Sequence, residues 1–71
     1  MELPTRQTAT LVAIKRYIAA NGFPPTVREL ADDLGVSVNG AAGHLKALAR
    51  KGVIHRHPGT ARGITVPQAD G

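Results

Sequence analysis

The run Thr26-Val-Arg-Glu-Leu-Ala-Asp-Asp-Leu-Gly-Val-Ser-Val-Asn-Gly-Ala-Ala-Gly-His-Leu-Lys-Ala-Leu-Ala-Arg-Lys-Gly52 decides the fold of this chain. It splits at Gly35-Val36 into two helical segments. In the first, Thr26 and Glu29 form a capping box, each side chain satisfying a backbone N–H that the helix leaves without a partner. Val27, Leu30, Ala31 and Leu34 supply its inward face, Gly35 closes it, and Val36 packs back over the last turn. In the second, Ser37 is the N-cap and Gly52 the stop, while Arg50 and Lys51 suit the negative end of the helix dipole. Val38, Ala41, Leu45 and Leu48, flanked by Ala42 and Ala49, form an apolar stripe at helical spacing. The opposite face carries Gly40, Gly43 and Ala47. Asn39, Lys46 and Arg50 run along one edge of it, His44 and Lys51 along the other. Two helices joined by so short a glycine-containing turn are a helix-turn-helix.

Upstream, Thr5 after Pro4 reads as an N-cap, and Leu11, Ile14, Tyr17 and Ile18 recur at helical spacing until Asn21-Gly22 ends the helix. Phe23-Pro24-Pro25 cannot extend it, and Phe23, the single Phe, is expected as a buried plug between helices. Downstream the period changes. Residues 53–57 and 62–66 are β-type runs with Ile54, Ile64 and Val66 facing inward, and Pro58-Gly-Thr-Ala61 between them is turn chemistry. Residues 67–71 read as a fraying tail. The expectation is one α+β, mainly α domain over residues 1–71, ordered from residue 4 to 66: three helices and a two-stranded hairpin, a winged helix-turn-helix.

A chain of 71 residues lies near the lower limit for folding on its core alone, which argues against a deep catalytic cavity. It contains no Cys, hence no disulfide, thiolate nucleophile or zinc-ribbon spacing. Nothing approaches the roughly 18 consecutive apolar residues of a membrane span, and Met1-Glu-Leu-Pro-Thr5 lacks the features of a signal peptide. A cytoplasmic protein without membrane association is expected. The formal charge is +4, but its distribution says more than the sum. No carboxylate side chain lies between Leu34 and Ala69, where Lys46, Arg50, Lys51, Arg56, Arg62 and all three histidines fall. A one-signed half of a folded domain is the footprint of a phosphate-binding surface. No paired-carboxylate, Ser/His/Asp or phosphate-loop constellation is present, so no enzymatic activity and no small-molecule cofactor are expected. His55 and His57 lie two apart with His44 elsewhere, but no carboxylate or Cys joins them, and no metal is expected.

The run Gly22-Phe-Pro-Pro-Thr26, the Arg28-Glu-Leu-Ala31 block and His44-Leu-Lys-Ala-Leu-Ala-Arg-Lys-Gly-Val-Ile54 resemble the DNA-binding domain of the LexA-type SOS-response repressors, and Ala61-Arg-Gly-Ile-Thr65 resembles that domain's wing. The resemblance covers residues 3–66. It implies a bacterial or phage transcriptional regulator, with the third helix in the major groove and the wing along the backbone. It places Ser37, Asn39, Gly40, Ala42 and Gly43 at base-facing positions. The best-known members have acidic or other polar side chains where this chain has Ala42 and Gly43, so the family's usual operator does not transfer: Ala and Gly cannot accept from a cytosine amino group as Glu can. The family's self-cleaving Ser/Lys peptidase, which also dimerises the repressor, has no counterpart in these 71 residues. Its scissile bond is typically an Ala-Gly in a linker, whereas Ala42-Gly43 falls inside the third helix.

The base-facing set is therefore Ser37, Asn39, Gly40, Ala42, Gly43, His44, Lys46 and Ala47. Asn39 is the candidate for reading adenine through N6 and N7; its alternative is to support the N-cap. Gly40 and Gly43 either admit the backbone close to DNA or are tolerated weak points, each costing about 1 kcal/mol relative to Ala. The phosphate set is Arg6, Thr26, Val27, Arg28, Arg50, Lys51, Arg56 and Arg62, with a merely solvated charge the alternative for each cation and plain capping for the Thr26 side chain. The expected partner is double-stranded DNA, engaged with a second copy on a paired half-site or with a protein partner, and the expected action is repression by occlusion. The competing expectation is a winged-helix adaptor for a replication or transcription protein, since the smooth Gly40, Gly43 and Ala47 face also suits helix packing.

Overall fold

A computed structural model describes residues 4–57 and 59–67. The element order is α1 (Thr5–Asn21), α2 (Val27–Leu34), α3 (Val38–Arg50), β1 (His55–Arg56) and β2 (Ile64–Thr65). Helix α1 starts one residue earlier than expected: Pro4 occupies the cap position with no side-chain cap bond, so Thr5 is the first helical residue and not the cap. The Pro4 carbonyl takes the Thr8 N–H at 2.9 Å, which opens the helical ladder. At the other end Gly22 adopts a left-handed φ of 81° and donates to the Ile18 carbonyl. Glycine reaches that conformation without strain.

The capping box of α2 is complete. Thr26 Oγ1 accepts from Glu29 N at 3.1 Å and Glu29 Oε1 accepts from Thr26 N at 2.9 Å. Gly35, at φ 70°, closes the helix, and Val36 N donates back to the Ala31 carbonyl. Ser37 Oγ then caps α3 by accepting from Gly40 N at 3.0 Å. Orphan N–H groups at both helix starts are thus met by side chains within three residues, so the angle between α2 and α3 is set locally.

Ala13, Ile14, Leu30, Leu45, Leu48, Ile54 and Ile64 form the buried cluster where the three helices and the hairpin meet, with Leu11, Ile18, Val27, Leu34, Ala49, Val53 and Val66 packed around it. Truncating a fully buried leucine such as Leu45 to Ala costs about 2–5 kcal/mol through lost transfer energy and the cavity left behind. Thr10 is the buried polar member; its hydroxyl donates to the Arg6 carbonyl one turn back, so burial leaves it satisfied.

Besides the Thr5 cap, three expectations need correction. Phe23 is not a buried plug but 45 % exposed, and Pro25 takes the interior position. The Phe23 ring sits edge-on to Tyr17, with centroids 6.1 Å apart, and under the Arg62 guanidinium at 4.6 Å; that quadrupole contact keeps it at the surface. Val38 is 40 % exposed, because it is the first residue of α3, one turn before Ala41 and outside the buried cluster. The wing strands have two residues each instead of five. They pair antiparallel, His55 with Thr65 and Arg56 with Ile64, and His57 N adds one bond to the Gly63 carbonyl at 2.7 Å. Val53 is lost to the strand because its N–H closes α3 on the Leu48 carbonyl. Ile54 and Ile64 do face inward, and Val66 is half-buried. Pro58 of the expected turn, and all of the expected tail but Pro67, fall outside the described residues.

Candidate nucleic-acid interface

On α3 the buried residues are Ala41, Leu45 and Leu48. Diametrically opposite, Asn39, Gly43, Lys46 and Arg50 are all exposed, at the i, i+4, i+7, i+11 spacing of a single helical row. Gly40, His44 and Ala47 line one flank and Ala42 the other, each half-buried. Ser37 is exposed but engaged through Oγ with Gly40 N.

The two helical glycines differ. A Cβ on Gly40 would come within 3.2 Å of Ser37 Oγ, so the missing side chain there serves the cap. A Cβ on Gly43 would meet nothing within 4 Å, leaving no packing reason for glycine at the middle of the exposed row.

The phosphate candidates separate into two groups. Arg6, Arg28, Arg50 and Arg56 are exposed. Arg56 and Lys46 flank a shallow apolar depression floored by Ala42 and Ala49, between α3 and the wing. Arg6 and His44 line a groove where the start of α1 meets the α2–α3 turn at Gly35 and Val36. Thr26 and Val27 stand at the N-terminus of α2, the Thr26 side chain committed to its cap and Val27 half-buried against the core. Lys51 Nζ donates to Gln7 Oε1 at 2.7 Å, tying the end of α3 to the start of α1.

Arg62 is turned inward. Its Nη1 donates to Glu29 Oε1 at 2.7 Å and to the Pro24 carbonyl at 2.8 Å, and its Nη2 donates to Glu29 Oε2 at 3.1 Å. The guanidinium holds the Glu29 carboxyl down at about 2, helped by the Thr26 N–H, opposed by burial, and helped further by the Tyr17 hydroxyl. Glu29 in turn raises Arg62 further above its ordinary value. The capping role of Glu29 was legible in the sequence; its second role, and that of Gln7, were not. Gly63 was also missed: a Cβ there would run into the His57 carbonyl oxygen.

His57 Nε2 lies 3.1 Å from Thr65 Oγ1 across the hairpin. Among the described residues no group of three or more His, Cys, Asp or Glu could hold a metal ion, and no helix is long and apolar enough to cross a membrane.

A helix-turn-helix whose second helix turns a polar row outward, followed by an antiparallel hairpin packed on the same core, defines the winged helix-turn-helix class. Within that class the chain belongs to the LexA DNA binding domain family, which matches residues 1–63. It is 49 % identical over 71 residues to a LexA repressor of Marinobacter nauticus, covering 99 % of this chain and 35 % of that protein. Against LexA repressor 1 of Pseudomonas putida the identity is 53 % over 68 residues, covering 94 % and 34 %. Against a LexA repressor of Shewanella denitrificans it is 55 % over 69 residues, covering 96 % and 34 %. The chain thus spans about a third of the length of these relatives.

Proposed function

We propose that this chain binds double-stranded DNA sequence-specifically as a LexA-like transcriptional regulator, and represses by occupying its site. The observation that carries this function is the exposed row Asn39, Gly43, Lys46 and Arg50, set opposite the buried face of α3 by a rigidly capped α2. In the major groove Asn39 pairs with adenine N6 and N7, and Gly43 lets the helix backbone come close to the base edges. Arg6, Arg28, Arg50 and Arg56 bind phosphates and fix the register without reading sequence. The wing lies along the backbone beside α3. Family membership and the absence of carboxylates between Leu34 and Ala69 support the assignment.

A single module of this kind buries roughly 600–1,000 Å² on DNA, so high affinity calls for a second copy on a paired half-site or for a protein partner. A salt titration of duplex binding tests the proposal. Affinity falls steeply from low to physiological salt as the phosphate contacts are screened. Selection of bound duplexes from a random pool then yields a defined site, and Asn39→Ala relaxes preference at one position in it. Failure to bind any duplex at low salt refutes the proposal and favours the adaptor alternative.

A further inference from the structure

Arg62, among the described wing residues, is held by the helical body through three kinds of contact at once. It makes the two-pronged ion pair with Glu29, a hydrogen bond to the Pro24 carbonyl, and a stack on Phe23, whose ring is itself braced by Tyr17. The partners come from the end of α1, the loop after it and the first turn of α2. The hairpin ladder spans only two residues per strand, so the wing depends on anchorage to the helical body, and the Arg62 contacts add a polar anchor to the apolar one that Ile54 and Ile64 make in the core. Glu29 Oε1 accepts from Arg62 and from Thr26 N together, so the wing is referenced to the N-terminus of α2. That places the wing in a fixed relation to the helix end that bears Arg28.

We propose that Glu29 and Arg62 form a clasp that positions the wing for DNA, and that Arg62 is a positioning residue and not a phosphate contact; this rests on the DNA-binding function proposed above. Three of the guanidinium's N–H groups are given to Glu29 and Pro24 and one of its faces to Phe23, so Arg62 is oriented by the helical body. Docked as it is, it holds the arm from which Arg56, paired with Ile64 across the hairpin, reaches outward. Between the Arg62 contacts and the burial of Ile64, Gly63 passes against the His57 carbonyl, where a Cβ would clash.

The two roles for Arg62 predict opposite signs for one substitution. Glu29→Gln keeps the length and capping ability of the side chain but removes the charge. If Arg62 bound phosphate against the pull of Glu29, the substitution would free it and delete a nearby negative charge, and DNA would bind more tightly. For a clasp, binding of duplexes selected for the wild type weakens about threefold to fivefold, within the range for a well-formed but partly exposed ion pair. Arg62→Met gives a similar loss, and the double variant is no weaker than either single one. Tighter or unchanged binding by Glu29→Gln, or losses that multiply in the double variant, overturns the proposal. A second readout needs no DNA. In Glu29→Gln the His57 amide, bonded to Gly63, exchanges with solvent faster while the amides of α3 keep their protection. Unchanged His57 protection overturns the clasp alone, whereas a wild-type chain that binds no duplex overturns the proposed function.

Discussion

Gly43→Ala should make the domain more stable and a worse DNA binder at once. Gly43 lies in the interior of α3, and a Cβ there meets no atom within 4 Å, so the substitution creates no clash. Only the helix preference of Ala over Gly remains, about 1 kcal/mol. For a domain of this size that raises the melting temperature by about 4–8 °C, a shift easily read by thermal denaturation followed by circular dichroism. On DNA the same methyl stands at the middle of the row proposed to enter the groove. Holding the helix away from the base edges should cost about 1 kcal/mol or more, roughly fivefold or more in Kd, measured by anisotropy on selected duplexes. Gly40→Ala is the contrast. There the gain in helix preference is offset by pressure on Ser37 Oγ at 3.2 Å, so its melting temperature should rise less. A Gly43→Ala variant that gains stability and binds as tightly as the wild type refutes the close approach, and leaves Gly43 as a tolerated weak point.

Two further outcomes follow from the wing and its clasp. Gly63→Ala forces the hairpin apart at His57; the overpacking should cost about 1–3 kcal/mol and lower the melting temperature correspondingly, and an unchanged midpoint would refute the close passage of the two strands. The pH dependence of stability should carry the signature of Glu29. Its carboxyl is held at about 2 in the folded chain against 4.5 ordinarily, so its stabilising contribution is complete above pH 4.5 and is lost as the pH falls towards 2. Urea unfolding midpoints of the wild type should therefore drop more steeply across that window than those of Glu29→Gln, and parallel curves would refute the assignment.

What could be read from the sequence divides by the distance over which each feature is decided. The Thr26–Glu29 box, the Ser37 cap and the glycine closures at Gly22 and Gly35 are settled within a few residues, and the structure has all of them. The inward rows of α1 and α3 were legible because periodicity names a face, although it does not say where the core ends, which is why Val38 was misassigned. Phe23 was misread for a different reason. Its environment depends on Arg62, and the clasp joins Arg62 to Glu29 across 33 positions, a pairing that no local pattern announces. The strand lengths were overestimated because Val53 is drawn into the closure of α3, a competition between neighbouring elements that β-propensity alone does not register. Of the candidate interface, the sequence separates the exposed row of α3 from the core row. It does not distinguish the cations that face solvent, such as Arg50 and Arg56, from Lys51 and Arg62, which are turned to Gln7 and Glu29.

The contrast between the two-residue turn and the 33-position clasp also bears on how the molecule comes together. Helices α2 and α3 meet across Gly35-Val36, Ser37 serving as the cap, so the chain needs to close almost no loop to bring them into contact. The Arg62 contacts must instead gather partners across a loop of some thirty residues, and they form only when Glu29, Pro24 and Phe23 stand together. That difference in loop closure favours an order of assembly in which α3 is set on α2 first and the hairpin docks afterwards, on a finished platform.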